Sequence, residues 1–149
     1  MKYIAYGSNM VARQMASRCP GAKMIGIGRL PAARLEFYVH ATIERSEIES
    51  DFVPVVVWEI DADDEQYLDW YEGYPDYYTK ESMTVQMADG SEITGMIYVM
   101  QNIMRVWPPY LTYYKDIEDT YKVLGLRSEI ETVLKPALKR SFDRSTRKH

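Results

Sequence analysis

An α+β domain is the fold class this sequence predicts, with strands over the first two-thirds and helices at the end. Three observations carry that reading. Phe52 to Ile60 is β-rich and almost wholly apolar through Val55-Val56-Val57-Trp58, the pattern of a central strand. Ala88-Asp89-Gly90-Ser91 separates two strand-like segments and is a hairpin signal. From Tyr110 onward the chain turns helical. Several strands joined by loops and short helices can curl into a small barrel, which removes exposed edges.

The elements follow in chain order. Tyr3 to Tyr6 opens as an apolar strand and runs into Gly7-Ser8-Asn9. A short helix is expected over Val11 to Arg18, closed by Cys19-Pro20-Gly21. Lys23 to Arg29 and Ala33 to Val39 read as strands broken near Pro31, and the polar stretch Ile43 to Asp51 as an exposed loop. After the strand at Phe52, Asp61 caps a helix from Ala62 to Glu72 that Gly73 and Pro75 end. Its stripe Asp64, Tyr67, Leu68 and Tyr71 is expected to face the core. Tyr77 to Met87 and Glu92 to Met100 form the hairpin. Two helices are expected at about Thr112 to Leu124 and Ser128 to Phe142, with the basic end from Arg144 to His149 frayed. Residues 1–141 thus make one domain, and 142–149 a flexible basic tail.

Bulk properties narrow the function. A chain of 149 residues with 46% hydrophobic and 27% charged content has the make-up of a globular protein with a real core. Its formal charge of −4 argues against nucleic acid as the main partner, since a phosphate backbone wants a basic face. No apolar run approaches a bilayer span, and no signal peptide is visible. Cys19 is alone, so no internal disulfide is possible, and a reducing, cytoplasmic setting is expected. With His40 and His149 as the only histidines, neither a His-rich metal site nor a Ser-His-Asp triad is well supplied. Acids clustered at Asp61, Asp63, Asp64 and Glu65 read as partners of a helix dipole rather than metal ligands. Chemistry must then rest on carboxylates, hydroxyls and backbone. The 13 tyrosines against three phenylalanines fit pocket walls as well as core margins.

Two segments stand out. In Tyr6-Gly7-Ser8-Asn9-Met10, Gly7 allows close approach to the main chain, while Ser8 and Asn9 favour turns and caps. The N–H groups that follow can converge on a carboxylate or a developing oxyanion. In Tyr71-Glu72-Gly73-Tyr74-Pro75-Asp76-Tyr77-Tyr78, Glu72 falls at a helix end among aromatic residues. Lost water and the negative helix terminus both raise a carboxylate's pKa towards the range useful for proton transfer.

Taken in this order and spacing, Tyr6-Gly7-Ser8-Asn9 and the Glu72-Gly73 turn resemble the γ-glutamylcyclotransferase family, within the AIG2-like superfamily. The resemblance extends through Arg29-Leu30, Leu35-Glu36-Phe37, Ala41-Thr42-Ile43 and Val56-Val57-Trp58-Glu59-Ile60. It continues softly into Pro108-Pro109, Tyr113-Tyr114-Lys115 and Gly125-Leu126, and covers Met1 to about Arg140. It implies a small mixed β-barrel with flanking helices and a ligand held at one rim. It also implies conversion of a γ-glutamyl amino acid or amine to 5-oxoproline without a cofactor. Carried onto this chain, Tyr6, Gly7, Ser8, Asn9 and Met10 would form the substrate loop and Glu72 the proton carrier. Tyr78 and Tyr114 would be pocket walls or hydroxyl donors, with adjacent Tyr113 competing for the latter place. A homodimer is a further expectation from barrel relatives. The rival reading is a binding or regulatory module that kept the pocket without turnover. His40 reads as a packed or edge histidine, and Trp107-Pro108-Pro109 as a rigid loop near the pocket rim.

Overall fold

The structure is a computed structural model that describes residues 1–147. In chain order the strands are Lys2–Ala5 (β1), Lys23–Pro31 (β2), Ala33–Tyr38 (β3), His40–Arg45 (β4), Phe52–Glu59 (β5), Tyr78–Met87 (β6) and Glu92–Met100 (β7). The helices are Ala12–Arg18 (α1), Ala62–Tyr71 (α2) and Leu111–Val123 (α3). A terminal run follows, made of a turn at Arg127–Glu129 (α4), a π-helical stretch Ile130–Leu134, and Lys135–Arg147 (α5).

Five strands close a barrel in the order β1-β5-β2-β6-β7. The apolar run predicted as central is so: β5 pairs antiparallel with β1 on one side and β2 on the other. Val53, Val55, Val56 and Val57 are all buried, since both faces of this strand are covered. Closure comes from a parallel pairing of β1 with β7 at Tyr3 and Met96, which makes the barrel mixed. The β6–β7 hairpin turns at Asp89-Gly90 as the sequence signals, with Gly90 at φ +89° and the Met87 N–H donating to Ser91 O at 2.8 Å.

β3 and β4 form a separate two-stranded sheet, with Tyr38 opposite His40 across Val39. Val39 holds φ +65°, costly for a β-branched residue, and its N–H donates to Trp107 O at 2.8 Å. The proline loop therefore braces this tight reversal. The expected loop from Ile43 to Asp51 is corrected here: Ile43, Glu44 and Arg45 belong to β4, pairing with Leu35, Arg34 and Ala33. Charged residues at the strand end hid it.

This hairpin is tied to the rest of the fold from two sides. The Met100 N–H at the end of β7 donates to Thr42 Oγ1 at 3.0 Å. On the other side, Glu36 of β3 is 1% exposed, and α5 covers it with cations. Arg140 Nε donates to Glu36 Oε1 at 2.9 Å, Arg144 Nη1 at 3.3 Å, and Arg34 Nε reaches Oε2 at 3.1 Å. Arg140 and Arg144 also donate to the Leu35 and Phe37 carbonyls, each at 2.8 Å. The basic end expected to fray thus remains helical through Arg147, with Arg144 half-buried, while 148 and 149 lie outside the described residues.

α2 needs a second correction. Asp61 and Asp64 form a capping box in which each carboxylate accepts from the other's backbone N–H, as the sequence suggests at Asp61. Of the stripe expected to face the core, however, only Leu68 is fully buried, and Tyr67 and Tyr71 are each 41% exposed. The helix rests on the barrel along a narrow line rather than a broad face. Among the described residues, no helix is long and apolar enough to cross a membrane.

Candidate active site

The loop leaving β1 is a single 3-10 turn, Ser8–Met10, closed by Met10 N–H to Gly7 O at 3.0 Å and Val11 N–H to Ser8 O at 3.1 Å. The amides that open such a turn have no acceptor within it, so they are available to a ligand. Gly7 has φ −120°, so its value here is space rather than a left-handed backbone. A Cβ at Gly7 would stand 3.2 Å from Ala41 Cβ and 3.4 Å from the Tyr113 hydroxyl. That volume is the pocket.

Asn9 is buried and held from several sides. Its Nδ2 donates to the Tyr3 hydroxyl at 2.7 Å and reaches Glu72 Oε1 at 3.5 Å. Its Oδ1 accepts from Arg18, and its carbonyl accepts from Trp58 Nε1 at 3.0 Å. Arg18 also donates to Ser8 Oγ at 3.2 Å and stacks its guanidinium 4.0 Å over the Tyr71 ring. The loop is set by its side chains before any ligand arrives.

Glu72 is the C-cap of α2, and the turn beyond it explains its position. Gly73 takes φ +66°, which a residue with a Cβ adopts at a cost. Tyr74 N–H then donates to Asp69 O at 2.9 Å and Gly73 N–H to Trp70 O at 3.2 Å, the pair of bonds of a Schellman ending. A cis peptide joins Tyr74 to Pro75, and the chain re-enters the barrel at Tyr78. Glu72 is thereby half-buried on the pocket wall. Lost hydration pushes its pKa up to about 7, against an opposing pull from the Arg18 charge. Around it, burial holds the Tyr3, Tyr6 and Tyr78 phenols well above their usual range, so they stay neutral donors.

The cavity holds about 250 Å³. One wall is braced by Tyr6, whose hydroxyl donates to Tyr98 O at 2.5 Å. Tyr98 in turn donates to Asp69 Oδ1 at 2.6 Å, and Lys80 pairs with Asp69 at 3.0 Å and Glu65 at 2.9 Å. The opposite wall is the start of β4. Tyr78 donates to Ala41 O at 2.6 Å while Ala41 N–H donates to the Tyr113 hydroxyl at 3.0 Å, so the backbone of one residue is gripped through both of its peptide groups. His40 Nδ1 and the Tyr77 hydroxyl lie 3.0 Å apart at the mouth.

Of the residues named from sequence, Tyr6, Gly7, Ser8, Asn9, Glu72 and Tyr78 line this one cavity. Two do not. Met10 is 2% exposed and its side chain joins the core. Tyr114 is also turned inward, packed edge-on to Phe37 at 5.8 Å, and Tyr113 takes the pocket position. Tyr3, Ile4, His40, Ala41, Tyr71, Tyr77 and Tyr98 also line the cavity without having been singled out from sequence as site residues. Tyr77 was within reach, since it stands beside Tyr78 in the tyrosine-rich turn. His40 and Ala41 come from a hairpin that no local pattern aims at the site. Among the described residues, no group of three or more His, Cys, Asp or Glu is placed to hold a metal ion.

A family model described as "Gamma-glutamyl cyclotransferase, AIG2-like" matches residues 3–119. A protein of Bos taurus named gamma-glutamylcyclotransferase is 32% identical over 143 residues, covering 89% of this chain and 76% of its own length. The protein of that name from Homo sapiens is 32% identical over 146 residues, with the same coverage. A solved structure described as gamma-glutamyl cyclotransferase superposes with a TM-score of 0.80 at 30% identity, covering 91% of this chain and 86% of that one.

Proposed function

The chain belongs to the γ-glutamyl cyclotransferase, AIG2-like family, and from that premise we propose that it cyclises γ-glutamyl amino acids or amines to 5-oxoproline, with Glu72 as the proton carrier. The observation that carries the reading is a carboxylate raised to about 7, sharing one small cavity with the Gly7-Ser8-Asn9 turn.

The reaction needs few groups because the nucleophile is tethered. The substrate's α-amine sits on the same chain as the γ-carbonyl it attacks, so folding the substrate supplies the effective concentration. The amine arrives as an ammonium. Ionised Glu72 takes one proton, and the freed nitrogen lone pair forms a bond to the γ-carbon. The carbonyl π electrons move onto oxygen, and the loop amides would stabilise that charge or hold the substrate's α-carboxylate. The intermediate then reforms its carbonyl and breaks the bond to the leaving nitrogen, which Glu72 protonates. The second ammonium proton is lost to water or to the departing amine. A base near 7 suits both transfers, being half ionised at neutral pH and acidic enough to return what it took.

The neutral tyrosines keep the cavity's electrostatics simple: around Glu72 they offer hydroxyls without competing charge. Buried Tyr6 and Tyr78 are occupied by backbone carbonyls, which supports a positioning role for them.

The test is 5-oxoproline release from a panel of γ-glutamyl dipeptides, γ-glutamylamines and glutathione, with Glu72→Gln alongside. We expect release by the wild type and a loss of at least a hundredfold in the variant, with ligand binding retained. Binding without release by the wild type would overturn the reading in favour of a ligand-binding module.

A further inference from the structure

A second cavity, also about 250 Å³, adjoins the first and shares His40 and Tyr77 with it. Val39, Met104 and Arg105 complete its lining. Tyr77 stands between the two spaces: its phenol is raised by lost hydration and then by the Glu72 charge, and pulled back by the Arg105 charge. Both charges are therefore felt at one hydroxyl, Glu72 from the catalytic side and Arg105 from the other. His40 is pushed below its usual pKa, by burial first and by Arg105 second, so it is neutral at neutral pH and Arg105 is the cation of this wall.

Arg105 has no carboxylate within ion-pair distance among the described residues. The other guanidiniums near the site are engaged differently: Arg18 holds Ser8 and Asn9, and Arg140 and Arg144 hold Glu36. An exposed, unpaired cation beside a cavity with apolar walls of Val39 and Met104 is complementary to a carboxylate carried next to an apolar group. That combination is what an apolar amino acid offers and what the corresponding amine lacks.

Resting on the reading of the preceding subsection, we infer that the His40–Tyr77–Arg105 cavity is the leaving-group subsite, where Arg105 binds the α-carboxylate of a departing apolar amino acid and Val39 and Met104 take its side chain. The γ-glutamyl part occupies the inner cavity against Glu72 and Gly7-Ser8-Asn9, and the scissile amide lies at the Tyr77 and His40 threshold. Arg105 is then the residue that separates γ-glutamyl amino acids from γ-glutamylamines.

A matched pair of substrates isolates the carboxylate. γ-Glutamyl-leucine and γ-glutamyl-3-methylbutylamine differ only in that group, and the wild type is expected to favour the former by about tenfold in kcat/KM. In Arg105→Gln that ratio falls to within about twofold, through a higher KM for the dipeptide. Arg105→Lys, which keeps the charge without the fork, falls between. An unchanged ratio in Arg105→Gln, with both substrates turned over, overturns the assignment of Arg105 while leaving the cyclotransferase reading intact. Equal kcat/KM for γ-glutamylglycine and γ-glutamyl-leucine in the wild type overturns the apolar wall. Absence of 5-oxoproline from every substrate overturns the underlying reading and this subsite with it.

Discussion

At the scale of single residues, Glu72 costs the fold stability once it ionises. Its folded pKa of about 7 lies above the ordinary glutamate value of 4.5, so the fold favours the protonated acid. The stabilising contribution is complete below the unfolded value and is lost as pH rises through the folded one. Above pH 7 the wild type carries an ionised, half-buried carboxylate that Glu72→Gln lacks. The variant should therefore be more stable at pH 8, by on the order of 1–3 kcal/mol, with the difference vanishing towards pH 4. Chemical denaturation at the two pH values checks this, and equal stability at both would mean that Glu72 is not desolvated. Arg18 is its counterweight, since the same guanidinium that fixes Asn9 also favours the ionised form of Glu72.

At the scale of elements, the turn after α2 decides where Glu72 points. Gly73→Ala puts a Cβ on a backbone at φ +66°, where it would also meet Tyr77 Cβ at 3.1 Å. We expect a loss of about 1–2 kcal/mol and a fall in kcat exceeding any change in KM, read by thermal melts and steady-state kinetics. This turn was legible in the sequence because its cause is local: a helix ending in Glu-Gly and followed by proline has few alternatives. The Asp61 cap and the Asp89-Gly90 hairpin were legible for the same reason. β4 was not, because Glu44 and Arg45 look solvated until their strand partners are known. Nor was the choice between Tyr113 and Tyr114, which are consecutive on α3. Only the docking of that helix against β3 and the Gly7 loop turns Tyr113 to the cavity and Tyr114 to Phe37. The stripe on α2 failed because the barrel presents it too little surface. Sequence patterns resolve bonds made within a turn, and lose those made across the fold.

At the scale of the whole molecule, the site is split between two pieces that must be held in register. The barrel, with the α2 ending packed on it, supplies the Gly7 loop, Glu72 and Tyr78, while the β3–β4 hairpin supplies His40 and Ala41. α5 clamps that hairpin through Glu36, a charge buried in a strand that composition alone gives no reason to expect. Arg140→Met with Arg144→Met leaves Glu36 facing Arg34 alone, and should cost about 3 kcal/mol or more, or roughly 10 °C in Tm for a domain of this size. Adding Glu36→Met should recover much of that loss, because a buried ion pair is worth little against well-packed apolar groups. Failure of the third substitution to recover stability would mean that the cluster sets the hairpin's position rather than merely tolerating the charge. Family membership follows from the chain as a whole, through the match over residues 3–119. The chemistry rests on far fewer atoms.

If Glu72 acts as base with its pKa near neutrality, the pH dependence of kcat/KM for 5-oxoproline release carries its signature. We expect an acidic limb with a midpoint near 7, below which the rate falls about tenfold per pH unit, and an upward displacement of that midpoint in Arg18→Gln. A profile flat down to pH 5, or an unmoved midpoint in Arg18→Gln, would contradict it.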